Sequence, residues 1–130
     1  AVGVQVGTRF LIADECLIHE NYKEKLLKAS DVSTMVTGKS MGDAVRCLKT
    51  PFSKKFFKME YDPAVPKEEV LDFGKGAMRK AVFDGDNMGS YLAGEVAGMI
   101  KKKESAKDIV EDIMGGAEKL LKNAPSLIVG

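Results

Sequence analysis

The sequence predicts an α/β chain in which helices outnumber strands. Three observations carry that expectation. Stretches with an alternating or β-branched pattern are short, at 2–6, 32–37 and 44–49. Longer stretches space their apolar residues at i, i+3, i+4 and i+7, most clearly at 106–121. The composition, 45% hydrophobic and 30% charged over 130 residues, suits one domain with a packed core and fits neither two domains nor a disordered chain.

Val2, Val4 and Val6 alternate with Gly3, Gln5 and Gly7, the period of a strand. The strand ends at Gly7 and Thr8, and residues 10–13 open a helical turn. Residues 14–29 place Leu17, Ile18, Tyr22, Leu26 and Leu27 at helical spacing among Lys and Glu, as one amphipathic helix or two short ones. The run VSTMVT at 32–37 is β-branched and closes at Gly38. Residues 44–49 are a candidate second strand, stopped by Pro51. In 52–61, Phe52, Phe56 and Met59 share a helical face, and 62–66 with its two prolines is a turn. Pro66 suits the first position of the next helix, with Lys67, Glu68 and Glu69 in its first turn. That helix is expected to reach about Phe83, with interruptions near Gly74 and Gly76. DGDNMGS, 84–90, reads as a loop whose Ser90 caps a buried helix, YLAGEVAGMI. Gly94 and Gly98, one turn apart, would let another backbone approach closely. Ser105 caps the last helix, with Ala106, Ile109, Val110, Ile113, Met114, Ala117, Leu120 and Leu121 along its stripe. The first strand has no evident partner in the chain, and an apolar strand with two free edges invites aggregation. Its neighbours are expected in sequence absent from this chain, which opens on Ala inside that strand and reads as a cut.

Several function classes drop out. Twenty basic and nineteen acidic residues leave a net charge of +1, so no overall field draws nucleic acid or an anionic membrane. No apolar run approaches the roughly 18 residues of a membrane span. AVGVQVGTRF has no basic n-region or cleavage site, so it is not a signal peptide. Two cysteines, Cys16 and Cys47, form no CxxC pair, and one histidine leaves no zinc signature. Both read as reduced thiols of a cytoplasmic protein, with a disulfide left open. Packing accounts for them better than redox sensing, because neither has an evident helix N-terminus and base beside it. His19 sits on a polar helix start among Ile18, Glu20 and Asn21 and reads as a helix-terminal residue rather than a catalytic base. The methionines fall mostly on apolar faces and read as core filling.

VQVGT puts a glycine and a threonine hydroxyl at the carboxyl end of a strand leading into a helix, a junction that suits phosphate. On those residues alone a tight strand end is the plainer reading. The wider stretch VQVGTRFLIADECLIHENYKEKLLKASDVSTMVTGKS, 4–40, resembles the C-terminal part of the FMN-dependent nitronate monooxygenase family, also called 2-nitropropane dioxygenases. The closer likeness is to its branch of enoyl-[acyl-carrier-protein] reductase II. It continues through AVRCLKTPF (44–52), KGAMRKAVFDGD (75–86) and GSYLAGEVAGMI (89–100), and so covers almost the whole chain.

The resemblance implies an α/β fold: the C-terminal part of an FMN-binding TIM barrel, its last strand and closing helices, with a small, mostly helical α+β inserted domain. On that reading 1–15 are the last strand and its turn, 16–88 the inserted domain and 89–130 the closing helices. A complete barrel needs about 250 residues, so most of it lies elsewhere. The implied activity is NAD(P)H-driven, FMN-dependent reduction of an enoyl thioester on acyl carrier protein, in fatty acid synthesis. The alternatives are oxidation of alkyl nitronates by oxygen, or an inactive fragment. The resemblance places Gly7 and Thr8 at the FMN phosphate, Gln5 on the flavin side, and Ser90 and Tyr91 in a substrate-side loop. Where the family reads Ala-Gly-Gln, this chain has Ala93-Gly94-Glu95. The family's catalytic histidine falls upstream, so no catalytic base is expected here. The 130 residues alone hold one of the two junctions that usually frame the phosphate and are expected to be colourless and inactive. Their exposed barrel surfaces are expected to meet the missing N-terminal barrel portion, or each other in a homodimer. RCLKTPFSKKFFK, 46–58, holds five basic residues and no acidic one. As a nucleic-acid patch it would need exposed aromatics, whereas Phe52 and Phe56 share a core-like face. A basic face there would suit an acidic acyl carrier protein.

Overall fold

The computed structural model describes residues 2–127. It is a mixed helix and strand structure, built outward from one hairpin. Strand β1 (Thr34–Thr37) pairs antiparallel with β2 (Val45–Leu48), with Thr34 opposite Leu48 and Thr37 opposite Val45. A 3-10 turn, Lys39–Met41, joins them. The helices are α1 (Glu20–Leu27), α2 (Pro51–Glu60), α3 (Lys67–Gly74), α4 (Ala77–Arg79) and α5 (Ala106–Asn123). Short 3-10 helices span Thr8–Ile12, Glu95–Met99 and Ala124–Leu127, and a π-helical turn, Lys80–Asp84, continues α4.

Local chemistry accounts for several boundaries. α2 starts at Pro51, whose missing N–H costs nothing in the first turn. Ahead of it, Thr50 Oγ1 accepts the Ser53 N–H at 3.2 Å and Ser53 Oγ accepts the Thr50 N–H at 2.8 Å, a reciprocal cap. The expected face follows, with Phe52 buried and Phe56 and Met59 half-buried. Phe52 stacks on Phe73 of α3 at 5.1 Å, which joins the two helices. Ser105 Oγ accepts the Asp108 N–H at 3.1 Å and caps α5 as expected. The anticipated break between α3 and α4 falls at Gly76, whose φ of +71° a side chain would resist.

The core gathers Ile12, Tyr22, Leu26, Leu48, Tyr91 and Ile100, all buried. Tyr22 meets Tyr91 edge-on at 4.7 Å. Their hydroxyls donate to the Leu92 carbonyl at 2.7 Å and the Asp86 carbonyl at 2.8 Å. Such a pair contributes about 1 kcal/mol beyond its buried area. Burial holds both phenols above their ordinary pKa. Gly98 passes so close to Ser30 that a Cβ would lie 2.5 Å from its carbonyl carbon, the close approach expected of that glycine.

Four expectations need correction. Residues 2–6 form no strand: they have no β partner among the described residues, and Val2 and Val4 are exposed. The helix expected in 14–29 starts only at Glu20, because His19 is its cap, with Nδ1 accepting the Asn21 N–H at 3.1 Å. Leu17, before it, is exposed. Pro66 is the N-cap of α3 rather than its first residue. Ser90 caps no helix. Residues 91–93 run extended beside β2: Leu48 N–H donates to the Tyr91 carbonyl at 2.8 Å, and Ala93 N–H to the Arg46 carbonyl at 3.1 Å. Those backbone groups are committed to pairing, and the 3-10 helix starts only after Gly94. α5 forms as expected, but of its apolar stripe only Ile109 is buried.

Candidate functional site

The junction singled out in the sequence lies on the wall of a cavity of about 920 Å³ bordered by Gln5, Gly7, Thr8, Gly94, Val96 and Met99. Nothing lies within 4 Å of where a Cβ on Gly7 would sit, so its backbone can be approached closely. The first internal bond of the following turn runs from the Phe10 N–H to the Gly7 carbonyl at 3.0 Å. The N–H groups of Thr8 and Arg9 precede it and have no acceptor within that turn. Thr8 Oγ1 accepts the Gly94 N–H at 2.9 Å, which ties the junction to a backbone 86 positions away. As an acceptor in that bond, the hydroxyl keeps its proton to donate. A bare backbone, N–H groups and a hydroxyl donor are the groups a phosphate needs, so the residues present fit the phosphate end of FMN.

A charge cluster closes one side. Arg9 Nη2 lies 3.0 Å from Glu104 Oε2 and 2.8 Å from Asp112 Oδ2, and Lys102 Nζ lies 2.6 Å from Glu104 Oε1. Hydrogen bonds from Lys102, then Arg9, hold the Glu104 carboxyl below its ordinary 4.5. Glu104, then Asp112, raise the Arg9 guanidinium still further. Two cations and two carboxylates balance, so the cluster fastens the start of α5 to the Thr8 turn rather than offering a bare positive charge. Arg9 lies far in sequence from the other three members, and spacing carried no signal for the cluster.

The other site candidates scatter. Ser90 lines a second cavity, of about 390 Å³, with Phe52, Phe56, Leu71, Met78 and Leu92. Tyr91 beside it points the other way, fully buried in the core. Residues 90–93 alternate, Ser90 and Leu92 toward this cavity, Tyr91 and Ala93 inward. Glu95 pairs with Arg46 at 3.3 Å from an exposed position. His19 is the α1 cap described above. Cys47 is buried with its thiol pushed up by burial, and Cys16 is half-buried; both are free thiols. Among the described residues no group of three His, Cys, Asp or Glu is placed to hold a metal, and no helix is long and apolar enough to cross a membrane.

Comparison with known proteins adds a family. The family model described as nitronate monooxygenase matches residues 1–116. A probable nitronate monooxygenase of Staphylococcus saprophyticus is 27% identical over 122 residues, which are 93% of this chain and 34% of that protein. The structure of FabK from Thermotoga maritima is similar with a TM-score of 0.87 at 36% identity, covering 94% of this chain and 39% of that one. Its M276A mutant gives 0.80 at 34% identity, covering 98% and 38%. The chain thus spans about a third of the curated relative and under two fifths of the FabK chains. It belongs to the nitronate monooxygenase family, and within it is related to enoyl-[acyl-carrier-protein] reductase II.

Proposed function

We propose that these residues are the C-terminal part of a cytoplasmic, FMN-dependent oxidoreductase that reduces a carrier-bound enoyl thioester with NAD(P)H. The observation that carries the reading is the likeness to FabK at 36% identity and a TM-score of 0.87 over 94% of this chain. On this reading residues 1–15 supply the last strand of a TIM barrel and its turn, 16–88 the inserted domain and 89–130 the closing helices. The exposed valines before Gly7 would then pair with barrel strands supplied by the rest of the protein.

The overall reaction adds a hydride to the β-carbon of the thioester and a proton to its α-carbon, and oxidises NAD(P)H to NAD(P)⁺. FMN, when bound, supplies the hydride-transfer chemistry. This chain's residues bind and orient. Gly7 would admit a phosphate to the backbone. The Thr8 hydroxyl would donate to a phosphate oxygen while the Gly94 N–H fixes its direction. Gln5 would face the flavin side. The cavity beside Ser90 is lined largely by apolar side chains and would take acyl carbons on the substrate side.

The family model and the staphylococcal relative favour a second reading, oxidation of alkyl nitronates by oxygen. Stopped-flow reduction of the full-length protein by NADH and NADPH, followed by an enoyl thioester or by an alkyl nitronate under oxygen, decides between them. Nicotinamide-driven reduction and enoyl-dependent reoxidation are expected. Oxygen uptake with nitronate and no enoyl turnover would replace the first reading with the second. For the 130 residues alone, a colourless and inactive preparation is expected, and bound flavin at full occupancy would contradict it.

A further inference from the structure

The basic run singled out in the sequence has a use that the cavities do not absorb. α2 carries Lys54, Lys55 and Lys58 in its exposed surface, and none of the ion pairs formed among the described residues includes them. The one carboxylate of α2, Glu60, is turned away to accept the N–H groups of Gly38 and Ser40, both at 2.8 Å. The helix therefore shows solvent uncompensated positive charge. Lys55 is steadied over the Phe73 ring at 4.8 Å. Beside the row lie two large rings, Phe57 at 42% and Tyr61 at 52% exposure, packed together at 4.8 Å. Exposed aromatics within a positive row are what an interface enriched in charge steering and aromatic anchoring displays. The opposite face of the same helix, through Phe52 and Phe56, walls the 390 Å³ cavity. One helix, about 10 Å across, thus separates a basic exterior from an apolar interior.

We propose that the outer face of α2 is the docking surface for a small acidic protein that carries the acyl substrate on a thioester arm. The proposal rests on the enoyl-reducing reading above, and it adds where the carrier sits. Lys54 and Lys58, four residues apart on one side of the helix, would steer the acidic surface in. Phe57 and Tyr61 would be covered on contact. The arm would reach past α2 to the apolar cavity. A nucleic acid fits less well: the two rings pack on each other rather than offering open faces for bases, and three lysines meet few phosphates.

The test uses the full-length protein, the Lys54→Glu/Lys58→Glu variant and its Lys54→Arg/Lys58→Arg counterpart. Anisotropy of a dye-labelled acidic acyl carrier protein is measured at low and high salt, alongside turnover of one enoyl group presented on that carrier and on coenzyme A. Charge reversal is expected to weaken carrier binding and to lower kcat/KM for the carrier-bound substrate by about tenfold or more, with the coenzyme A thioester unaffected. The arginine variant should keep both, and salt should erase the difference. Carrier binding unchanged by reversal overturns the proposal. So does an equal loss on both thioesters, or a single-stranded oligonucleotide that binds this face in the carrier's place. If neither thioester is turned over, the enoyl reading fails, while the binding measurement still decides the surface.

Discussion

Around Tyr22 and Tyr91 the apolar side chains are enclosed and both phenol hydroxyls are bonded, whereas along α5 an equally regular apolar stripe lies in the open, with Leu120 at 70% and Leu121 at 75% exposure. Val2, Val4, Val96 and Met99 are likewise exposed, and Val96 and Met99 line the Gly7–Thr8 cavity. The difference separates side chains that these residues enclose by themselves from side chains that they leave exposed. Exposed apolar side chains in such number are what interfaces commonly use. On the reading proposed here, the interface is with the rest of the barrel.

Truncation should break the symmetry between the two regions most strongly. Leu26→Ala, inside the enclosed core, is expected to cost about 2–5 kcal/mol in urea unfolding of the 130-residue chain. Leu120→Ala should change it by no more than about 0.5 kcal/mol. In the full-length protein the cost of Leu120→Ala should rise toward that of a buried site, and an unchanged small cost there would mean that the stripe stays open. Glycines sharpen the same contrast. Gly98→Ala sets a methyl 2.5 Å from the Ser30 backbone and should cost about 1–3 kcal/mol. Gly115→Ala, in mid-helix with nothing within 4 Å, should stabilise the chain by about 0.5–1 kcal/mol, read as a higher Tm. The smallest effect is electrostatic. Glu104 is depressed by Lys102 and Arg9, so its contribution is present above the ordinary 4.5 and is lost as pH falls through its lower folded value. The protection factors of the amides in the first turn of α5, which divide out the intrinsic slowing of exchange in acid, should therefore fall as pH drops through that lower value, and Glu104→Gln should weaken this pH dependence.

Local signals made much of the fold legible. Ser105 before a regular stripe and Thr50-Pro51 before an aromatic face each announce a helix that forms, because a cap is satisfied within a few residues of itself. Residues 91–93 were misleading for the opposite reason. Their apolar spacing suits a helix, but bonds to Arg46 and Leu48, remote in sequence, hold them extended. The inward turn of Tyr91 and Ala93 against the outward turn of Ser90 and Leu92 has period two, a pattern visible in the sequence once the pairing is known. The candidate phosphate junction stood out through the Gly7–Thr8 dipeptide and the family resemblance. Its partner Gly94 and the Arg9–Glu104–Asp112 cluster did not, since side-chain pairing across a fold leaves no periodicity behind.

The flavin content of the full-length protein and its Thr8 variants tests the central claim most directly. The account predicts about one FMN per chain in the wild type and in Thr8→Ser, and loss of most of it in Thr8→Val, which keeps the shape of threonine but removes both the donor to phosphate and the acceptor of the Gly94 N–H. A Thr8→Val protein that folds as the wild type does and keeps its full flavin would contradict the assignment of this junction as the phosphate anchor.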